Sequence, residues 1–277
     1  MADPRITGLR SIEYGVPDIG TTARFYENIW GLTPVAEQNG SLYFRATGAE
    51  HHIVVLHERP TTGVEKVNFG ADDQATVDAL HAKLSGLGIS VDGGPAEINA
   101  PGGGYGFSFT DKDGLRYAVS TDVATHSDVS MANDRPFKLS DRTERMNFIR
   151  CNEDHHSIAF AKMGGASLNH TAFEVPDFDA LMRGAGRLKQ KGFTVDWGVG
   201  RHGPGNNIYT YFREPNGLVV EYTAEVEHVD DNYKVGGPED WAKRVGGPDR
   251  WGFADPPSPA IREAMGGQPQ PPGVAIA

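Results

Sequence analysis

Apolar and polar residues alternate over short stretches along most of this 277-residue chain, and a few stretches switch to a helical period. Leu9 to Val16 reads as a strand. Pro17-Asp18 is a helix-start signal, and Ile19 to Trp30 reads as a helix that ends at Gly31. Strands are predicted at about Ser41 to Arg45 and His52 to Leu56. Val77, Leu80 and Leu84 fall on one face of a second helix, and Leu181 and Leu188 mark a third. Two β-rich runs, Leu115 to Ser120 and Leu218 to Thr223, each follow a strong hairpin dipeptide, Asp113-Gly114 and Asn216-Gly217. The recurring order is strand, helix, then several strands: a βαβββ module.

The pattern occurs twice. Phe69-Gly-Ala-Asp-Asp73, a helix and Gly88 recur 104 residues later as Phe173-Glu-Val-Pro-Asp177, a helix and Gly192. His51-His52 recurs at the same offset as His155-His156, and Phe109 to Gly114 recurs at 103 as Phe212 to Gly217. The second copy lacks room for the opening strand and helix. Residues 121–138 read as a linker, and Phe137-Lys-Leu-Ser140 reads as the start of an opening strand. Matching Leu139 to Leu9 gives an offset of 130, so about 26 residues are missing, comprising a strand end and a helix. The expected organisation is an N-terminal domain over 1–125, a linker over 126–138, a C-terminal domain over 139–227 and a tail over 228–277. In the tail, Val235 to Trp241 is echoed by Val245 to Trp251. It is expected to wrap over the domain and bury its tryptophans, with a mobile Pro/Gly-rich end from Gly266.

Composition narrows the class. The formal charge of −11 and the lack of a Lys/Arg cluster argue against nucleic-acid binding. No apolar run approaches the ~20 residues of a membrane span, and Met1 to Arg10 does not read as a signal peptide. The single cysteine, Cys151, excludes an internal disulfide and fits a reducing, cytoplasmic setting.

Candidate chemistry lies in the second copy. His170 and Glu221 sit in strand-like runs, and a carboxylate among apolar neighbours is costly unless paired or metal-bound. The first copy is a control: its equivalents are Lys66 and Ala118, so the frame does not require the polar groups. Two imidazoles and a carboxylate with open positions suit non-haem Fe(II) and O₂. His156 begins a strand over Ser157 to Ala161, but the paired His51-His52 makes a His pair a module trait. His202 borders the polar, turn-rich Gly203-Pro-Gly-Asn-Asn207 loop. Tyr211 precedes Glu221 by ten residues, so one face of a hairpin could present both; alone it reads as a core aromatic. Gly102-Gly-Gly-Tyr-Gly106 precedes no helix and is set aside as a phosphate loop.

Taken in order, His155-His156-Ser157, Leu168-Asn-His170, Gly200-Arg-His202, Tyr211 and Glu221-Tyr222 resemble the type I extradiol ring-cleavage dioxygenases. These belong to the vicinal oxygen chelate (glyoxalase/bleomycin resistance) superfamily. The resemblance covers about residues 6–227 and is strongest over 152–223. It implies an α+β fold of paired βαβββ modules forming open mixed-sheet barrels. It also implies a homo-oligomer and cleavage of a catechol-type substrate with O₂ in aromatic-compound degradation. Fe(II) is implied in preference to Mn(II). By resemblance His170 and Glu221 are metal ligands, His156 is the acid/base residue, and His202 and Tyr211 contact the catecholic oxygens. The family's first ligand, a His, falls right after Leu139-Ser140, where this chain has Asp141, and the first copy has Ser11. That departure keeps a second class open: a metal-deficient module pair that binds ligands or acts as a scaffold.

Overall fold

The computed structural model describes residues 4–126, 137–163, 165–242, 249–274 and 276; most of the expected linker, 127–136, lies outside them. The chain divides into two compact units. Unit 1 comprises residues 1–19 and 31–137, and unit 2 comprises 20–30 and 138–277.

The chain up to Thr121 runs strand, helix, strands twice, so one sequence copy is itself a pair, although its first helix belongs to unit 2. Its strands are β1 (Ile6–Val16), β2 (Thr33–Gln38), β3 (Ser41–Arg45), β4 (Val54–Glu58) and β5 (Gly63–Ala71), then β6 (Ser90–Val91), β7 (Ala96–Glu97), β8 (Tyr105–Thr110) and β9 (Arg116–Thr121). They form an open sheet in the order β2-β3-β4-β1-β5-β9-β8-β6, with β7 on β8. β1 is its keystone, parallel to β4 and antiparallel to β5. The β2–β3 hairpin turns on Asn39 and Gly40, both at positive φ (51° and 77°), as the tight hairpin turn requires.

Two helices repeat with the same start. After α1 (Ile19–Phe25), α2 (Gln74–Gly86) is capped by Asp73, which accepts from the Thr76 amide; α3 (Phe178–Gln190) is capped by Asp177, which accepts from the Ala180 amide. The predicted face of α2 is the one it buries: Val77, Leu80 and Leu84 pack with Ala71, Phe107 and Val119. In α3, Leu181 and Leu188 are fully buried. Gly184 lets the helix approach its sheet, since a Cβ there would lie 2.7 Å from the Tyr222 ring.

Helix α1 (Ile19–Phe25) and the π-helical turn Tyr26–Trp30 follow β1 in sequence but pack within unit 2. Trp30 stacks on Tyr222 at 3.8 Å between centroids, and Phe25 meets Phe193 at 5.3 Å. The Tyr222 hydroxyl donates to the Trp30 carbonyl at 2.9 Å. Each such ring buries on the order of 150–250 Å², roughly 4–6 kcal/mol gross at ~25 cal/mol/Å², which is ample to hold one short helix.

The rest of unit 2 comprises β10 (Lys138–Arg142), β11 (Met146–Arg150), β12 (Ile158–Ala161), β13 (Thr171–Glu174), β14 (Trp197–Arg201), β15 (Ile208–Arg213) and β16 (Val219–Ala224), followed by α4 (Pro238–Ala242) and α5 (Pro259–Met265). Here the sheet is in two parts, β10-β11-β12 and β13-β16-β15-β14. Among the described residues no strand stands between β12 and β13, the place that β1 holds between β4 and β5.

The register corrects the origin of β10. The sequence match of Leu139 to Leu9 makes it an opening strand, but it forms a hairpin with β11 as β2 does with β3. Leu139 faces Ile149 and Asp141 faces Phe148 across a bulge; Pro34 faces Phe44 and Ala36 faces Tyr43 across the same bulge. The offset is therefore 105, and Leu139 corresponds to Pro34. Phe137 to Arg142 belongs to the strand after the helix, so among the described residues unit 2 has no counterpart of β1 before β10.

The tail also departs from expectation. Trp251 is 46% exposed, covered by the Arg201 guanidinium at 5.3 Å and not by the core. The Pro/Gly-rich end is tied at Gln270, whose amide donates to the Gly217 carbonyl and whose carbonyl accepts from Arg213. The second Val-Gly-Gly-Pro echo lies mostly outside the described residues.

Candidate metal and diol site

The five residues singled out in the second copy come together on unit 2. Glu221 lies on β16, flanked by β13 and β15, with Ala172 on one side and Tyr211 on the other. The matching pair in unit 1, Asn68 opposite Ala118, confirms Ala118 as the equivalent of Glu221. His170, just before β13, brings its Nε2 to 3.1 Å from Glu221 Oε2. His202, at the end of β14, places Nε2 2.9 Å from the Tyr211 hydroxyl and 3.9 Å from Glu221 Oε1. His156 shares this environment: it packs against Gly205, and the charges of Glu221, His202 and His170 all act on it.

Burial makes these contacts strong. Glu221 is almost fully buried, which pushes its pKa up, yet the hydrogen bond and charge of His170, with His202 and Tyr211, hold it below the usual carboxylate value. Burial and the Glu221 carboxylate push Tyr211 well above the ordinary phenol. His156 is pushed down to about 3, chiefly by burial and then by His155, so it is neutral. Tyr211 donates to Glu221, so its oxygen receives the His202 Nε2 hydrogen.

The ring of His170 is set from behind. Asn169 donates its amide to the Met265 carbonyl at 3.2 Å, so its oxygen faces His170 Nδ1 at 2.7 Å and accepts a hydrogen from it. That turns Nε2 toward Glu221, the outer-shell arrangement typical of metal-binding histidines. Two ligands at about 2.1 Å and a right angle on a divalent ion stand about 3 Å apart, which matches the 3.1 Å between His170 Nε2 and Glu221 Oε2.

Among the described residues no group of three His, Cys, Asp or Glu is arranged to hold a metal ion. Asp141, which the sequence match put at the first-ligand position and the strand register moves to the counterpart of Ala36, is fully buried and bonded elsewhere: to His155 Nε2 at 2.9 Å, the Tyr233 hydroxyl at 3.2 Å and the Gly236 amide at 2.6 Å. The donors present fit one edge of a 2-His-1-carboxylate centre and not the whole of it.

Several neighbours escaped sequence reasoning. Asn207 reaches Thr223 at 2.7 Å and Glu221 at 3.5 Å. Trp197 stacks on Tyr211, and Tyr209 stacks on His202 at 3.9 Å. Only the polar Gly203–Asn207 loop hinted at Asn207. Gly205 has φ +80°, and a Cβ there would lie 2.8 Å from the His156 ring.

Paired strand–helix–strand halves with a polar cluster on one sheet define a vicinal-oxygen-chelate-type fold. The chain belongs to the Glyoxalase/Bleomycin resistance protein/Dioxygenase superfamily, whose profile matches residues 8–119 and 137–222. It is 32% identical over 95 residues to metapyrocatechase 2 of Cupriavidus necator, a match spanning 33% of this chain and 30% of that one. It is 22% identical over 262 residues to biphenyl-2,3-diol 1,2-dioxygenase of Sphingomonas paucimobilis, covering 78% of this chain and 87% of the other. Among solved structures it is similar to the Mn(II)-bound glyoxalase from Novosphingobium aromaticivorans. There the TM-score is 0.83 and the identity 38%, over 93% of this chain and 94% of that one. Relatives thus include both dioxygenases and a glyoxalase. Among the described residues no helix is long and apolar enough to cross a membrane.

Proposed function

We propose that unit 2 is an extradiol-dioxygenase-type site that takes a catechol-type diol as substrate, with O₂ as co-substrate, in aromatic-compound degradation. The observation that carries this reading is the convergence of His170 on Glu221 at 3.1 Å and of His202 on Tyr211 at 2.9 Å, with His202 3.9 Å from Glu221 and His156 beside them. The diol relatives support it. Fe(II), held by His170 and Glu221, would supply Lewis acidity toward the diol and a route for electrons to O₂. Mn(II), the ion in the glyoxalase relative, is the second choice.

The protein groups have separable tasks. His202 and Tyr211 present a polar pair at which diol oxygens can be fixed. Trp197 and Tyr209 supply flat apolar walls beside that pair. His156, neutral because it is buried, offers a lone pair that can accept the hydrogen of a diol hydroxyl. Among the described residues two donors and not three are arranged for a metal, so iron would be held loosely.

A second reading rests on that same gap: a metal-deficient module that binds the diol without cleaving it. Assays with catechol across a range of added Fe(II) under air separate the two. The dioxygenase reading predicts a yellow ring-fission product that requires Fe(II) in excess and is lost on desalting. Catechol binding with no product at any Fe(II) level favours the second reading. No binding and no product would remove both.

A further inference from the structure

Asp141 does not serve as a metal ligand, and its contacts point to another task. It sits at 0% exposure on β10, where unit 1 has Ala36. Its Oδ1 accepts from the Gly236 amide at 2.6 Å, and its Oδ2 accepts from the Tyr233 hydroxyl at 3.2 Å. Oδ2 also lies 2.9 Å from His155 Nε2. His155, likewise at 0% exposure, places its Nδ1 3.1 Å from His156 Nδ1.

We propose that Asp141 and His155 are positioning residues that fix the tautomer of His156 through a buried Asp–His–His chain. The proposal rests on the reading of His156 as the proton acceptor for the diol. An ionised carboxylate only accepts hydrogen bonds. A neutral His155 therefore carries its hydrogen on Nε2 and leaves a lone pair on Nδ1. That lone pair accepts a hydrogen from His156 Nδ1. His156 is then the Nδ1–H tautomer, with its lone pair on Nε2, the nitrogen not engaged by His155. The Gly236 and Tyr233 contacts come from the tail, so the strap after β16 holds the far end of the chain.

Unit 1 shows what the aspartate adds. His51 and His52 make the same Nδ1–Nδ1 contact at 3.0 Å, but Ala36 puts no carboxylate behind them. His51 stacks on His126 instead. A His pair alone is a trait of the frame; the carboxylate is specific to unit 2.

Asp141→Asn should reverse the chain. The Gly236 amide keeps the Asn carbonyl oxygen at the Oδ1 site, so the amide NH₂ faces His155 Nε2. His155 must then accept at Nε2 and donate from Nδ1, and His156 becomes the Nε2–H tautomer. The same logic makes the Asp-to-Asn change in the Ser-His-Asp triad of serine proteases a tautomer change.

The test is a long-range ¹H–¹⁵N correlation spectrum of histidine-labelled, metal-free protein at about pH 8, with His156 assigned by its own substitution. The expected result is a predominantly Nδ1–H His156 in the native chain and a predominantly Nε2–H His156 in Asp141→Asn, with His52 unchanged in both. An Nε2–H His156 in the native protein overturns the proposal, and so does an unreversed ratio in a folded Asp141→Asn. If that variant does not fold, the native spectrum alone decides. The readout needs neither metal nor turnover, so it is independent of whether the chain cleaves catechol.

Discussion

Where unit 1 has Lys66, unit 2 has His170; where unit 1 has Ala118 and Ala36, unit 2 has Glu221 and Asp141. In unit 1 the keystone strand is present, and its Glu13 takes the Lys66 ammonium at 2.7 Å, His57 at 2.9 Å and Asn68 at 3.0 Å. That side of the sheet is closed by its own ion pair, with a built-in cation in place of a bound one. Among the described residues of unit 2 no counterpart of β1 stands beside β13, and the Glu221 carboxylate is faced by the His170 and His202 imidazoles. The difference teaches that the sheet frame tolerates either solution. The unit 1 network needs both Lys66 and the keystone strand that carries Glu13, whereas Glu221 of unit 2 is paired by His170 instead.

The largest expected effect comes from making unit 2 resemble unit 1. His170→Lys places an ammonium beside Glu221. Iron-dependent turnover should fall to background, while the far-UV circular dichroism stays that of the native chain. Retained iron-dependent product would break the ligand assignment.

Next in size is the helix that unit 2 receives from before β2. Trp30→Ala removes the ring stacked on Tyr222 and should cost about 3–5 kcal/mol, read as a lowered denaturant midpoint for unit 2. Loss confined to unit 1 would contradict the assignment of residues 20–30 to unit 2.

The smallest effect concerns acid stability of unit 1. Burial raises the Glu13 pKa, but His57, Lys66 and Asn68 outweigh it and hold the folded value at about 2, below the ordinary 4.5. A depressed folded pKa stabilises the protein above pH 4.5, and that contribution is lost as pH falls toward 2. Its upper bound is about 3 kcal/mol, from 1.36 kcal/mol per pKa unit. Glu13→Gln should therefore flatten the stability of unit 1 over this window; an unchanged acid limb would show that the network contributes nothing there.

Much of this comparison was legible in the chain. The 104-residue repeat exposed the shared frame, and it singled out His170 and Glu221 because Lys66 and Ala118 stand in their places. Helix caps at Asp73 and Asp177 follow from local hydrogen-bond chemistry, so they are visible without a structure. Asp141 was misplaced for a definite reason. Four residues before it could start either an opening strand or the strand after a helix, and only pairing with β11 across the shared bulge decides. The packing of residues 20–30 in unit 2, the exposure of Trp251 and the anchoring of Gln270 all depend on contacts between distant segments, which no local pattern records. Asn207, Trp197 and Tyr209 join the site through strand register in the same way.

The most direct test of the account is ring-fission product formed from catechol as a function of Fe(II), with iron counted before and after desalting. The predicted result is product only while free Fe(II) is present, with iron falling well below one per chain once it is removed. One iron per chain surviving desalting would contradict the two-donor edge, and no product at any Fe(II) concentration would contradict the dioxygenase reading.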